Sequence, residues 1–395
     1  MEESYIIGSV RTAVGKMGGA LRNVTSDYLG EKVIREVLTR FGSEVEVDEV
    51  ILGQSKQSQD QANVGRLAAL RADLPVTVSG YTVHRQCGSG LQAINNADMQ
   101  LKLGLNDVVI AGGTESMSTA PFYLRNARYG YNAGNGILVD PNTESQPCSQ
   151  PREVYGDLTM GLTAENLAEK YNISREEQDE FAHRSQELAD KAIKKGRFKD
   201  EIVPYEVKER KNTFTFDTDE HPRLTSPEKL AKLPAVFKEG GSVTPGNASG
   251  RNDGAAALLM MNKKKADYYG LKPKAKIIAQ AVSGVSPDIM GIGPVESTKK
   301  ALKQAGLSLD DIGLVELNEA FAAQSIAVIC ELGMNLDRVN VNGGAIALGH
   351  PIGATGAIIT TKLLHEMERS GEKYGLVTLC IGGGQGISSI IEYMA

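Results

Sequence analysis

Val83-His-Arg-Gln-Cys-Gly-Ser-Gly90 and Val341-Asn-Gly-Gly-Ala-Ile-Ala-Leu-Gly-His-Pro-Ile-Gly-Ala-Thr-Gly356 decide how this chain folds. Each runs from a valine into a glycine-rich turn. The first continues through a helical stretch from Leu91, the strand Val108–Ala111 and Gly112-Gly113. The second continues through a helical stretch holding Leu363 and Met367, the strand Leu376–Cys380 and Gly382-Gly383-Gly384. One order of parts used twice is an internal duplication, matched in pattern rather than in identity. Two such halves, facing each other, bring Cys87, His350 and Cys380 to loop ends at one shared cleft.

Outward from these stretches, β-rich runs alternate with helix-length segments in both outer thirds, as in α/β layers around a largely parallel sheet. The middle, about 118–249, reads differently. It begins rich in Tyr, Asn, Gly and Pro, then holds one clear helix from Ser174, an N-cap with Glu177 three residues on. It is expected to be an insertion domain. At 395 residues the chain suits two or three domains.

A formal net charge of −6 and a pI near 5.6 leave no footprint for nucleic acid. The sequence holds no apolar run of the roughly 20 residues that span a bilayer. Met1-Glu2-Glu3-Ser4 is acidic, unlike a basic leader, so a cytoplasmic location is expected. Four cysteines (Cys87, Cys148, Cys330, Cys380) and five scattered histidines have neither disulfide-framework nor metal-ligand spacing, and no metal is expected.

Cys87 lies where a strand gives way to a helix. A helix N-terminus favours negative charge, so this thiol is expected to ionise more readily than a free one and act as nucleophile. A buried inert thiol is the alternative. His350 stands between glycines that permit close backbone approach, beside a stiffening Pro351; a structural histidine in a tight turn is its alternative. Cys380-Ile-Gly-Gly-Gly-Gln-Gly386 ends a strand in a nest of N–H groups suited to an oxyanion. It is no dinucleotide loop, because too little chain follows for the helix, second strand and ribose-binding acid. Asn318 opens a segment read as helical, where it caps the helix or plays a polar role in the cleft. Val243–Gly254 is a loop of small and polar residues, suited to an amide-bearing ligand or to a linker, ahead of an Ala-rich helix.

Together these motifs resemble the thiolase family across essentially the whole chain. They are Arg11-Thr12-Ala13, QCGSG at 86–90, AGGTESMS at 111–118, MGLTAEN at 160–166, GNASGRNDGAA at 246–256, MGIGP at 290–294, NEAFAAQ at 318–324, NGGAIALGHPIGATG at 342–356 and CIGGGQG at 380–386. The resemblance implies two duplicated α/β halves in α-β-α-β-α layers with an inserted loop domain. Residues 1–118 with 250–270 would form the first half, 119–249 the insertion and 271–395 the second half.

It also implies roles. Cys87 takes the acyl group, His350 activates it, and Cys380 moves the α-proton. The N–H groups of Cys87 and Gly382 form one oxyanion hole; His350 and a water on Asn318 form the other. Ser249 would lie near the pantetheine arm, Arg223 and Ser226 near the adenine end, and Met160 and Met290 along the acyl pocket, with Ala248, Ala320 and Phe321 as further contacts to coenzyme A. No prosthetic group is implied; coenzyme A and acetyl-CoA are substrates, and the assembly is a homodimer or homotetramer. The stretch Pro121–Asp140 is similar to acetyl-CoA acetyltransferases, which make or cleave acetoacetyl-CoA. The alternatives are a longer-chain 3-ketoacyl-CoA thiolase and a non-catalytic coenzyme A-binding or redox-sensing scaffold. Two positions depart from the family: His84 stands in place of Asn, and Thr159 in place of His.

Overall fold

The computed structural model describes residues 2–209 and 212–394. In the first half, β1 (Ser4–Thr12), β2 (Glu49–Gly53), β3 (Ser79–Val83), β4 (Val108–Ser116) and β5 (Asn252–Asn262) lie in the order β3-β2-β4-β5-β1. β2 is parallel to β3 and β4, whereas β5 is antiparallel to β4 and β1. In the second half, β6 (Ala275–Gly284), β7 (Leu314–Leu317), β8 (Tyr374–Ile381) and β9 (Gln385–Tyr393) repeat the scheme as β7-β8-β9-β6. β7 and β8 are parallel, and β9 is antiparallel to β8 and β6. A parallel bridge from Val315 to Val339 stands where β3 stands in the first half. The duplication is therefore one of topology. The two sheets meet where Ile6 of β1 pairs with Ala275 of β6.

Helices α1 (Ser26–Phe41) and α2 (Val64–Arg71) cover the outer face of the first sheet, and α3 (Ser89–Lys102) its inner face. On α1 the buried Leu29, Val33, Ile34 and Val37 fall on one helical stripe. The intervening segment holds α4 (Met160–Lys170) and α5 (Arg175–Lys194). The predicted cap of α5 is present: Ser174 Oγ accepts from Glu177 N–H at 3.1 Å, and Glu177 Oε2 accepts from Ser174 N–H at 2.7 Å. In the second half, α6 (Gly293–Ala305) and α7 (Ala322–Leu332) lie outside, and α8 (Thr355–Ser370) packs inside against α3. The layers are α-β-α-β-α, as expected. α3 and α8 approach closely because Gly356 has no side chain: a Cβ there would come within 2.3 Å of the Leu91 backbone nitrogen.

The segment after Gly254 is not a helix. Gly-Ala-Ala-Ala-Leu-Leu-Met-Met lies inside β5, buried along its whole length between two helical layers and flanked by β1 and β4. A strand covered on both faces carries an unbroken apolar run, and tertiary burial overrides alanine's helix propensity. Outside the cleft lining, Arg11 fastens the intervening segment to β1. Its guanidinium donates to Glu201 at 2.7 Å and to both oxygens of Asp219 at 2.7 and 2.9 Å, all buried. No helix among the described residues is long and apolar enough to cross a membrane.

Candidate active site

Between the end of β3 and the start of α3, the chain turns sharply with Gln86 at φ +44°, in the left-handed region. A non-glycine residue there costs about 1–3 kcal/mol and persists where its surroundings over-determine it. They do so here. Gly88 N–H donates to Arg85 O at 3.0 Å, Ser89 N–H to Gln86 O at 3.0 Å, and Ser89 Oγ to Gln86 O at 2.6 Å. The turn presents Cys87, half-buried, to a cleft of about 870 Å3.

Cys87 does not ionise early. Burial pushes its thiol up, against Gly382 N–H, the Lys56 charge and its own N–H, which pull it down. The expected helix effect is outweighed by the loss of water around the sulfur in the cleft. Those two N–H groups, from Gly382 and Cys87, nevertheless converge on the sulfur.

His350 lines the same cleft. Gly349 before it takes φ +99°, and a Cβ at Gly349 would collide with the Asn252 side chain, whose Oδ1 accepts from His350 N–H at 2.9 Å. The ring is fixed by its other side. Nδ1 lies 2.6 Å from Thr355 Oγ1, and that hydroxyl donates to Pro351 O at 2.9 Å. With its own proton committed, Thr355 can only accept, so Nδ1 carries the ring proton. Nε2 is left as a buried acceptor with no protein partner. Burial lowers the His350 pKa to about 4, which keeps the ring neutral at neutral pH.

Cys380 lies in β8, fully buried behind the cleft rather than at a loop end on it. Burial pushes its thiol up, and ionisation of Cys87 would push it further, so it holds its proton. Asn318 does not cap a helix: α7 begins at Ala322, with Phe321 at the N-cap. Its buried carboxamide has neither oxygen nor nitrogen bonded to another protein group, although leaving such a group unmet costs roughly 1–3 kcal/mol. Gly382, Ser249, Ala248, Ala320, Phe321, Met160 and Met290 all line the cleft. The loop 243–254 is no slack linker. Glu165 of α4 accepts from the N–H groups of Ser242 and Val243, and Ser249 N–H donates to Ala320 O at 3.0 Å. Arg223 and Ser226 are exposed, outside the cleft lining; Ser226 precedes the short helix Pro227–Leu230. Thr159 is explained by its place, since its hydroxyl caps α4 by accepting from Leu162 N–H at 3.3 Å. His84 is exposed and lies outside the cleft lining.

A family model of the thiolase N-terminal domain matches residues 4–264, and one of the thiolase C-terminal domain matches residues 271–393. The chain belongs to the thiolase family. This thiolase is 50% identical to an acetyl-CoA acetyltransferase of Syntrophomonas wolfei over 395 residues, 99% of each chain. Its fold superposes on the crystal structure of the Bacillus anthracis acetyl-CoA acetyltransferase with a TM-score of 0.97 and 49% identity, covering 100% of this chain and 99% of that one. Human mitochondrial 3-ketoacyl-CoA thiolase in complex with CoA is similar with a TM-score of 0.94 and 43% identity, over 100% of this chain and 98% of that one.

The thiolase cleft also contains residues outside the sequence motifs: Lys56, Asn142, Ser145, Gln146, Ser149 and Phe237. Glu115, within a quoted motif but given no role, joins the two halves. One oxygen accepts from Ser55 N–H at 3.0 Å and Gly353 N–H at 2.8 Å, the other from Lys56 N–H at 3.0 Å. Its signal was a carboxylate inside an otherwise small and apolar strand, a polar group that burial obliges to find partners.

Proposed function

We propose that this thiolase is an acetyl-CoA C-acetyltransferase, cleaving acetoacetyl-CoA with coenzyme A or condensing two acetyl-CoA through an acyl group on Cys87. The observation that carries this reading is His350, neutral and with Nε2 free, in one cleft with Cys87, whose sulfur meets the N–H groups of Cys87 and Gly382. The 50% identity to an acetyl-CoA acetyltransferase over the full length supports the substrate.

In cleavage, the Cys87 thiol passes its proton to His350 Nε2 as sulfur attacks C3 of acetoacetyl-CoA. The oxyanion at C3 falls between the N–H groups of Cys87 and Gly382. As the C2–C3 bond breaks, its electrons move into an enolate whose oxygen faces the protonated Nε2 and a water held by Asn318. Cys380, still a thiol, supplies the proton to C2 and acetyl-CoA leaves. Coenzyme A then attacks the acetyl group on Cys87, giving a second acetyl-CoA and returning the protons. Splitting the exchange into two steps is covalent catalysis, and one oxyanion donor typically contributes about 10²–10³ in rate.

The same reading takes 119–249 as an insertion between two halves, with Ser249, Met160, Met290, Ala248, Ala320 and Phe321 along the bound thioester. Arg223 and Ser226 would lie towards its adenine end. We further assign a cytoplasmic homodimer or homotetramer; Phe122, Tyr129, Ile137 and Leu138, all strongly exposed, suit a contact between copies. A sedimenting mass of a single 42.3 kDa chain would refute assembly. For the reaction, kcat/KM on acetoacetyl-CoA is expected to exceed that on longer 3-ketoacyl-CoA esters; the reverse order would make this a longer-chain thiolase.

A further inference from the structure

Met160, Phe237, Met290 and Phe321 pack together as an apolar wall of the cleft, as suits a hydrocarbon chain. A polar wall, where Gln86 bonds Ser149 and Ser149 bonds Ser145, carries a charge. Lys56 is 7% exposed, and its Nζ reaches into that wall to bond Ser145 Oγ. No carboxylate among the described residues stands within 4.0 Å of this ammonium. Glu115, the nearest in electrostatic effect, has both oxygens engaged by backbone N–H groups. Arg251, the cleft's other cation, lies 3.8 Å from Asp140 Oδ2, so its charge is already opposed. A buried ammonium held by a neutral hydroxyl is costly unless something anionic meets it. Ser145, Gln146, Ser149 and Gln86 beside it extend the polar wall, and Lys56 and Cys87 are close enough to act on each other's ionisation.

We propose that Lys56 is a specificity-determining residue that receives a carboxylate at the far end of a short acyl chain carried on Cys87. The enzyme then cleaves 3-ketoacyl-CoA esters of short dicarboxylic acids. The inference rests on the thiolase reaction given above and names a further substrate class for it. Bonds and protons balance as they do there. Sulfur of Cys87 bonds to C3 while C2–C3 breaks, and the enolate of acetyl-CoA takes the Cys380 proton. The carboxyacyl group left on Cys87 lies along the cleft with its carboxylate on the Lys56 ammonium. The thiol of coenzyme A then displaces it and restores the Cys380 proton, releasing the carboxyacyl-CoA.

The test compares two six-carbon substrates, the coenzyme A thioester of 3-oxohexanedioic acid and 3-oxohexanoyl-CoA, which differ in carboxylate against methyl at the far end. On native enzyme the ratio of their kcat/KM values is expected at or above unity. Lys56→Met should lower that ratio by about tenfold to a hundredfold, whatever it does to both rates together, and Lys56→Arg should largely restore it. A native enzyme that prefers the methyl end tenfold, or a ratio unmoved in Lys56→Met, overturns the proposal and leaves Lys56 a general electrostatic or structural role. If Lys56→Met does not fold, Ser145→Asp, which sets a rival carboxylate against the ammonium, must lower the ratio instead. Acetoacetyl-CoA assayed in parallel separates the two claims: turnover of it without the dicarboxylic ester refutes this inference alone, and turnover of neither refutes the thiolase reading.

Discussion

His350 and Cys87 face one cleft as two neutral groups. Burial holds the imidazole near a pKa of about 4 and pushes the thiol above its ordinary 9.0, so neither group carries charge at neutral pH until substrate arrives. Proton transfer is then part of the chemical step, unlike sites that rest as thiolate and imidazolium. Alkylation of free enzyme by iodoacetamide is expected to keep accelerating as pH rises through the ordinary thiol range; a plateau reached by about pH 7 would show the ionised pair. The same burial predicts acid sensitivity. His350 and His221, both lowered to about 4, stay neutral when folded but take up protons near 6.5 when unfolded. Stability is therefore full above 6.5 and falls as pH drops towards 4. At this scale the shared cleft of Cys87 and His350 was legible because each sits in a long glycine-punctuated string, whereas the burial of Cys380 behind it was not. Nor was Lys56. It stands in the polar run Gln54-Ser-Lys-Gln57, which reads as a solvated loop, and its burial comes from Glu115, nearly 60 residues away, and from Ser145.

α3 and α8 are the elements that hold the reacting residues, since Cys87 lies just before one and His350 just before the other. Their spacing depends on Gly356. Gly356→Ala gains up to roughly 1 kcal/mol of helix propensity, but its Cβ would come within 2.3 Å of backbone, and overpacking of that kind costs about 1–3 kcal/mol. The collision should win: a lower denaturant midpoint and slower turnover are expected, and an unchanged midpoint would show that the helices have room. Most elements were legible from period and caps, as the capping box at Ser174 was. β5 was not, because alanine favours helix locally, and what makes Asn252–Asn262 a strand is its cover on both faces by helices distant in sequence.

For the whole molecule, the duplicated order of parts in the sequence became two sheets of matching topology. Their junction at Ile6 and Ala275 was illegible, as was the Arg11 cluster, whose partners lie 190 and 208 residues away. Arg11→Met would leave Glu201 and Asp219 buried without their cation. A loss of about 3–5 kcal/mol and a clear fall in Tm are expected by calorimetry; a loss below 1 kcal/mol would show that the cluster does not hold the insertion in place. On the proposed mechanism both halves matter, since Cys87 as nucleophile comes from one and His350 as its base from the other. The most direct test of that joint site is intact-protein mass spectrometry after brief incubation with acetoacetyl-CoA. The account predicts a gain of one acetyl group on the native chain and none on Cys87→Ala; a native chain that binds acetoacetyl-CoA yet gains no mass would contradict it.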